Sequence, residues 1–81
     1  MTEAEIKAIL IGEITAIAPD IDPSSIPPDE DVREALDLDS MDMLNIIAAL
    51  HERLGIDIPE ADAPRFFTVN GGVRYIAERL G

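Results

Sequence analysis

Between Asp39 and Gly55 lies a run that burial on one side cannot satisfy. Met41, Met43, Leu44, Ile46, Ile47, Ala48, Ala49, Leu50 and Leu54 fill nine of the fifteen positions from Ser40 to Leu54. Asp39 is a good N-cap, and Asp42 three residues on adds negative charge to the positive end of the helix dipole. Gly55 fits the left-handed residue that ends a helix. A helix over Ser40–Leu54 therefore has two apolar stripes. Ile46, Ile47, Leu50 and Leu54, with Met43 near them, form a core stripe. Met41, Leu44 and Ala48 recur at i, i+3 and i+7 as a second one. That second stripe either packs beneath a loop or forms a patch for partners, rimmed by Asp39, Asp42 and Asn45; Met at such a surface suits re-packing against several partners. Ser40 falls in the first turn, pointing outward.

The other elements complete an all-α reading: a small bundle of three main helices plus one short distorted helix, with a long loop between the first and second. Thr2-Glu3-Ala4-Glu5 is a capping box for the first helix. Ile6, Ile9, Leu10, Ile14 and Ile17 follow at helical spacing until Ala18-Pro19 stops it. From Asp20 to about Asp37 a long irregular loop, with Ile21, Ile26, Val32 and Leu36 as isolated apolar anchors, reads as a structured crossing over the bundle. After Ile56-Asp57-Ile58-Pro59 a single distorted turn is expected, because Pro64 removes a donor and disfavours helix at Ala63. Thr68 caps the last helix, where Val69, Val73, Ile76 and Leu80 face the core. Gly71 and Gly72 in its first turn cost about 1 kcal/mol each relative to Ala, implying close packing or local softness. The whole chain, 1–81, reads as a single domain.

A net charge of −11 from 17 acids and six Lys and Arg excludes nucleic acid, whose phosphates need a basic patch. Anionic membrane surfaces are excluded on the same ground. Residues 20 to 42 concentrate the acids: Asp20, Asp22, Asp29, Glu30, Asp31, Glu34, Asp37, Asp39 and Asp42 stand against the single base Arg33. For Asp20 to Asp31 a solvated, solubilising loop is the simplest account; for Asp37, Asp39 and Asp42 it is docking of basic partners. No apolar run is long enough to span a bilayer, and Met1-Thr2-Glu3 does not begin like a secretory signal, so a cytoplasmic monomer is expected without membrane insertion. The chain has no cysteine, so any thiol chemistry must come from an added group.

Catalysis by Ser40 and His51 fails on geometry. Eleven residues apart on one helix, they are separated by about 16 Å along the axis, beyond hydrogen-bond reach. His51 reads as a solvated surface residue. Asp20-x-Asp22-x-Ser24 echoes the start of a calcium loop, yet Ser25 stands where glycine is needed and Pro23, Pro27 and Pro28 break the pattern. No metal is expected.

Leu38-Asp39-Ser40-Met41-Asp42 opening an apolar helix resembles the attachment motif of acyl carrier proteins and related thiolation domains. The resemblance extends over residues 30 to 80 through Gly55-Ile56-Asp57-Ile58-Pro59, Phe67-Thr68-Val69 and Tyr75-Ile76. It implies a non-catalytic carrier: a phosphopantetheinyl transferase attaches 4′-phosphopantetheine to Ser40, and the arm carries an acyl or aminoacyl group as a thioester. An acyl or aminoacyl ligase and downstream transferases or synthases are the implied partners. By the same resemblance Asp39, Met41 and Asp42 flank the attachment point; Asp37, Met41, Asp42, Leu44, Asn45 and Ala48 dock partners. An acyl chain would slide toward Met43, Ile47, Leu50, Ala63 and Phe66, although Phe66 and Phe67 also read as plain core. Two departures stand out. Asp37 occupies a position where glycine is usual, and Asn45, His51 and Arg53 replace residues often acidic in carriers of fatty acid synthesis. A specialised carrier, of secondary metabolism or of a dedicated amino acid ligase, fits these better; the alternative is a small acidic interaction module with the same helical shape.

Overall fold

In a computed structural model, which describes residues 1–80, every regular element is helical. The order is α1 (Glu3–Ile17), a 3₁₀ turn (Pro23–Ser25), α2 (Val32–Ala35), α3 (Ser40–Leu54), a 3₁₀ helix (Glu60–Phe66) and α4 (Val69–Leu80). α1 packs against α3 and α4, and the 3₁₀ helix closes the bundle against the same two helices from the other side. One core runs through all of them. Leu50 and Ile76 are fully buried, and Ile6, Ile46, Val32 and Val69 are nearly so; each buried aliphatic side chain contributes about 1.5–3 kcal/mol.

Local signals account for the three main helices. The Thr2 hydroxyl accepts from the Glu5 amide while the Glu5 carboxylate accepts from the Thr2 amide, forming the box that starts α1. Gly55, at φ 67°, ends α3 in the left-handed region. The Thr68 hydroxyl accepts from the Gly71 amide at the start of α4. Gly71 and Gly72 are explained by close packing. A Cβ on Gly71 would lie 2.6 Å from the Arg65 carbonyl oxygen, and one on Gly72 would lie 2.9 Å from Leu10 Cδ2.

The long crossing is structured, as expected, with a short helix that was not foreseen: Asp22 caps the Pro23–Ser25 turn and Asp31 caps α2. The Val32 amide donates to the Phe67 carbonyl and the Asn70 amide to the Pro28 carbonyl, which fastens the crossing to the start of α4. Two expectations are corrected. After Pro59 the chain makes seven residues of 3₁₀ helix instead of one turn. Pro64 is accommodated because its carbonyl still accepts from the Phe67 amide. Leu80 is 41% exposed, since residues 78–80 of the last turn all lie outside the core. Buried Tyr75 contributes to the core instead, and its hydroxyl donates to Asp62 Oδ2 at 2.7 Å.

Candidate functional site

Ser40 is the first residue of α3, and the chain on either side of it is pinned. The Asp42 amide donates to Asp39 Oδ1 at 2.9 Å, and the Asp39 amide donates back to Asp42 Oδ2 at 3.1 Å. Leu38 before the cap and Met43 one turn inside are both buried, the positions a hydrophobic staple uses. Leu38-Asp39-Ser40-Met41-Asp42-Met43 is thus a helix-starting device. Its first helical residue is left outside: Ser40 is exposed, and its hydroxyl has no hydrogen-bond partner among the described residues.

The entry to this device is equally constrained. The Leu38 amide donates to the Arg33 carbonyl at 3.0 Å, the long 6→1 bond of a Schellman-type closure, and Asp37 within that closure takes the left-handed conformation at φ 56°. Where the resemblance leads one to expect glycine, an aspartate holds the glycine conformation.

Beside Ser40 lies a cleft of about 320 Å³ between α3 and the 3₁₀ helix. Met43, Ile47 and Ala63 line it, as expected of an acyl-chain pocket. Leu50 and Phe66 do not. Leu50 is fully enclosed in the core, and the Phe66 ring packs edge-on against Tyr75 at 5.2 Å. Leu44, Pro64 and Phe67 complete the apolar wall, with Arg33 and Glu60 as its charged members. Of the two phenylalanines, therefore, Phe66 is core and Phe67 faces the cleft. Arg33 holds its guanidinium 3.6 Å from the centre of the Phe67 ring. Its Nε and Nη2 donate to the two carboxylate oxygens of Asp31 at 3.1 and 2.7 Å, and this hydrogen bonding holds the Asp31 carboxyl below its ordinary range. Arg33 and Phe67 were not among the candidate site residues; a lone base inside a run of nine acids was the signal that could have found the first.

The second stripe of α3 is open. Met41 is 62% and Leu44 51% exposed, and Ala48, Asn45 and Asp37 are exposed as well, while Asp42 is half-buried by its capping role. A shallower hollow of about 520 Å³ continues this face, bounded by Leu44, Ala48, His51, Ile58 and Pro59. His51 is solvent-accessible but not free: its Nδ1 donates to the Ile56 carbonyl, bracing the turn at Gly55. Arg53 reaches Glu13 of α1 at 3.0 Å.

Comparison with known proteins bears on what this exposed serine is for. A family model described as a phosphopantetheine attachment site matches residues 8–80. The chain is 38% identical over 68 residues to the acyl carrier protein of Rubrobacter xylanophilus, covering 84% of each chain. It is 34% identical over 77 residues to that of Picosynechococcus sp., covering 95% of this chain and 89% of the relative. The solution structure of an Anaplasma phagocytophilum protein provisionally described as an acyl carrier protein superposes with a TM-score of 0.86 at 26% identity, covering 100% of this chain and 94% of the other.

Proposed function

This chain belongs to the acyl carrier protein family, the carriers of acyl groups on phosphopantetheine, and on that premise we propose that Ser40 bears the 4′-phosphopantetheine arm. The observation that carries the assignment is the pinned but unpartnered hydroxyl at the first position of α3. When attached, the arm supplies a terminal thiol that holds the cargo as a thioester.

The chain's own residues present and orient. Asp39 and Asp42 spend an oxygen each on the cap, which fixes the direction in which Ser40 Oγ leaves the helix for a phosphopantetheinyl transferase. Met41, Leu44 and Ala48 form the apolar part of the docking face, with Asp37, Asp42 and Asn45 beside it. Met43, Ile47 and Ala63 shelter the cargo in the cleft. The chain is a substrate of its partners and catalyses nothing itself; its partners are an acyl or aminoacyl ligase and downstream transferases or synthases. We place it as a single-domain, monomeric, cytoplasmic carrier. One continuous core from Ile6 to Ile76 supports the single domain, and among the described residues no helix is long and apolar enough to cross a membrane. Arg53 and His51, engaged with Glu13 and the Ile56 carbonyl, support a specialised carrier over one of housekeeping fatty acid synthesis.

Incubation with a promiscuous phosphopantetheinyl transferase and coenzyme A tests the assignment by mass spectrometry. Wild type should gain one phosphopantetheine and Ser40→Ala none. A folded wild type that stays unmodified would leave the acidic interaction module as the better reading.

A further inference from the structure

Resting on the assignment of the arm to Ser40, we propose that Arg33 is a clamp for the arm's phosphodiester, holding it at the mouth of the cleft between α3 and the 3₁₀ helix. The argument starts from charge. A phosphodiester on Ser40 Oγ places a permanent negative charge between Asp39 and Asp42, in the stretch that already carries nine acids and one base. That base lines the same cleft as Ser40, and it is the single cation that does.

Arg33 is also prepared for an anion. A guanidinium has five N–H donors in a planar fork suited to phosphate. Asp31 takes the Nε donor and one on Nη2, so both Nη1 donors and one on Nη2 have no partner among the described residues. The Asp31 pair and the Phe67 ring 3.6 Å away fix the plane of the fork, so little side-chain freedom remains to be lost on binding. The backbone holds it too, because the Arg33 carbonyl accepts from the Leu38 amide two residues before Ser40. Glu60, the other charged residue lining the cleft, repels a phosphate and leaves Arg33 as its favoured partner. The clamp would keep the first part of the arm against the bundle while the thiol end remains free to travel.

The test compares apo and phosphopantetheinylated forms of wild type, Arg33→Gln and Arg33→Lys, with Arg65→Gln as a control whose cation pairs with Glu78 instead. Mass spectrometry first establishes loading; an unloaded wild type refutes the Ser40 assignment and is thereby distinguished from failure of the clamp. In loaded wild type and Arg65→Gln the melting temperature should match or exceed that of the apo form. In loaded Arg33→Gln it should fall below its own apo form by about 3 °C or more at low salt, with Arg33→Lys between, and the deficit should shrink at high salt. The Arg33 Nε–H resonance of wild type should shift on loading, and the ³¹P signal should differ between wild type and Arg33→Gln. Equal loaded-minus-apo differences in wild type and Arg33→Gln would overturn the clamp. If Arg33→Gln does not fold, the wild-type Nε–H resonance decides: a position unchanged on loading overturns the clamp.

Discussion

Replacing Asp37 by glycine should stabilise this domain, although it deletes a side chain beside the attachment site. Asp37 sits at φ 56° because the Schellman closure of α2 demands a left-handed residue there, with the Leu38 amide reaching back to Arg33. A non-glycine residue in that region costs about 1–2 kcal/mol, with Asp at the low end because its short polar side chain tolerates it. Glycine removes that cost but gives back about 0.4–1 kcal/mol through the greater freedom of its unfolded chain. A negative side chain at the C-terminal end of a helix is also unfavourable by about 0.3–1 kcal/mol. With Asp at the low end of the first range and the others taken at their middle, the net gain is about 1 kcal/mol, which for a domain of this size raises the melting temperature by about 4–8 °C. Calorimetry of three variants separates the contributions. Asp37→Asn keeps the left-handed tolerance without the charge, so it should show only the electrostatic part, and that part should vanish at high salt. Asp37→Ala should lose about 1 kcal/mol through the conformational cost. Asp37→Gly should exceed both at every salt concentration. Equal stability of the Gly and Ala variants would refute the conformational argument, and a Gly variant no better than Asn would reduce the effect to charge alone.

The two glycines of α4 should respond differently to alanine. Gly72→Ala meets Leu10 Cδ2 at 2.9 Å and the buried Phe66 ring at 3.0 Å, so an overpacking cost of about 1–3 kcal/mol is offset by about 1 kcal/mol of helix propensity and the net loss should be about 0–2 kcal/mol, whereas Gly71→Ala meets the Arg65 backbone at 2.6 Å and should cost about 2 kcal/mol or more in denaturant unfolding. Burial, and then the hydrogen bond to Asp62, raise the Tyr75 hydroxyl above its ordinary value of 10.0; above pH 10 the unfolded chain releases this proton first, so stability should fall with pH from there up to the folded value, a slope that Tyr75→Phe should abolish. Met41→Ala, at a residue 62% exposed, should change folding stability by no more than about 0.5 kcal/mol while slowing modification of Ser40; a larger loss of stability would place Met41 in the core. The combined change Asn45→Glu, His51→Glu and Arg53→Glu should improve use by fatty acid synthesis enzymes by about tenfold, since each exposed pair gained is worth about 0.2–1 kcal/mol, and should lower stability because Glu13 and the Ile56 carbonyl lose their partners; an unchanged partner rate would show that these positions do not select partners.

What could be read in advance depended on whether the signal was local. α1 and α3 were legible because end signals and apolar periodicity agree, in the Thr2–Glu5 box and Ala18-Pro19 for α1 and in Asp39 and Gly55 for α3. Ser40 followed from the same local logic. The cleft was half legible: Met43 and Ile47 are fixed by the phase of α3, but the choice of Phe67 over Phe66 depends on Phe66 turning toward Tyr75, a tertiary contact that leaves no mark in spacing. α2 was missed because four residues are too few for periodicity to declare, and its stability comes from the Asp31 cap and the Val32 amide bond to Phe67. That same bond ties the crossing to Phe67, which lines the cleft, and so brings Arg33 to the cleft that Ser40 also lines, which distance along the chain could not reveal.

The distribution of cations gives the carrier face a polarity along α3. At its C-terminal half the basic side chains, both still exposed, are held by structural partners, Arg53 by Glu13 and His51 by the Ile56 carbonyl. At its N-terminal end Asp37, Asp39 and Asp42 stand close to Ser40 in the chain, and Asp31 offsets the charge of Arg33, the one base in that acidic stretch, while leaving its Nη1 donors without a partner among the described residues. Electrostatic steering of a basic partner therefore acts mainly at the attachment end, and it governs encounter rate more than final affinity. On the proposed docking role, affinity would come from the apolar line of Met41, Leu44 and Ala48, exposed along the same helix. A partner reading this face would then meet charge first, beside the proposed attachment point, and be held by apolar contact one and two turns further on.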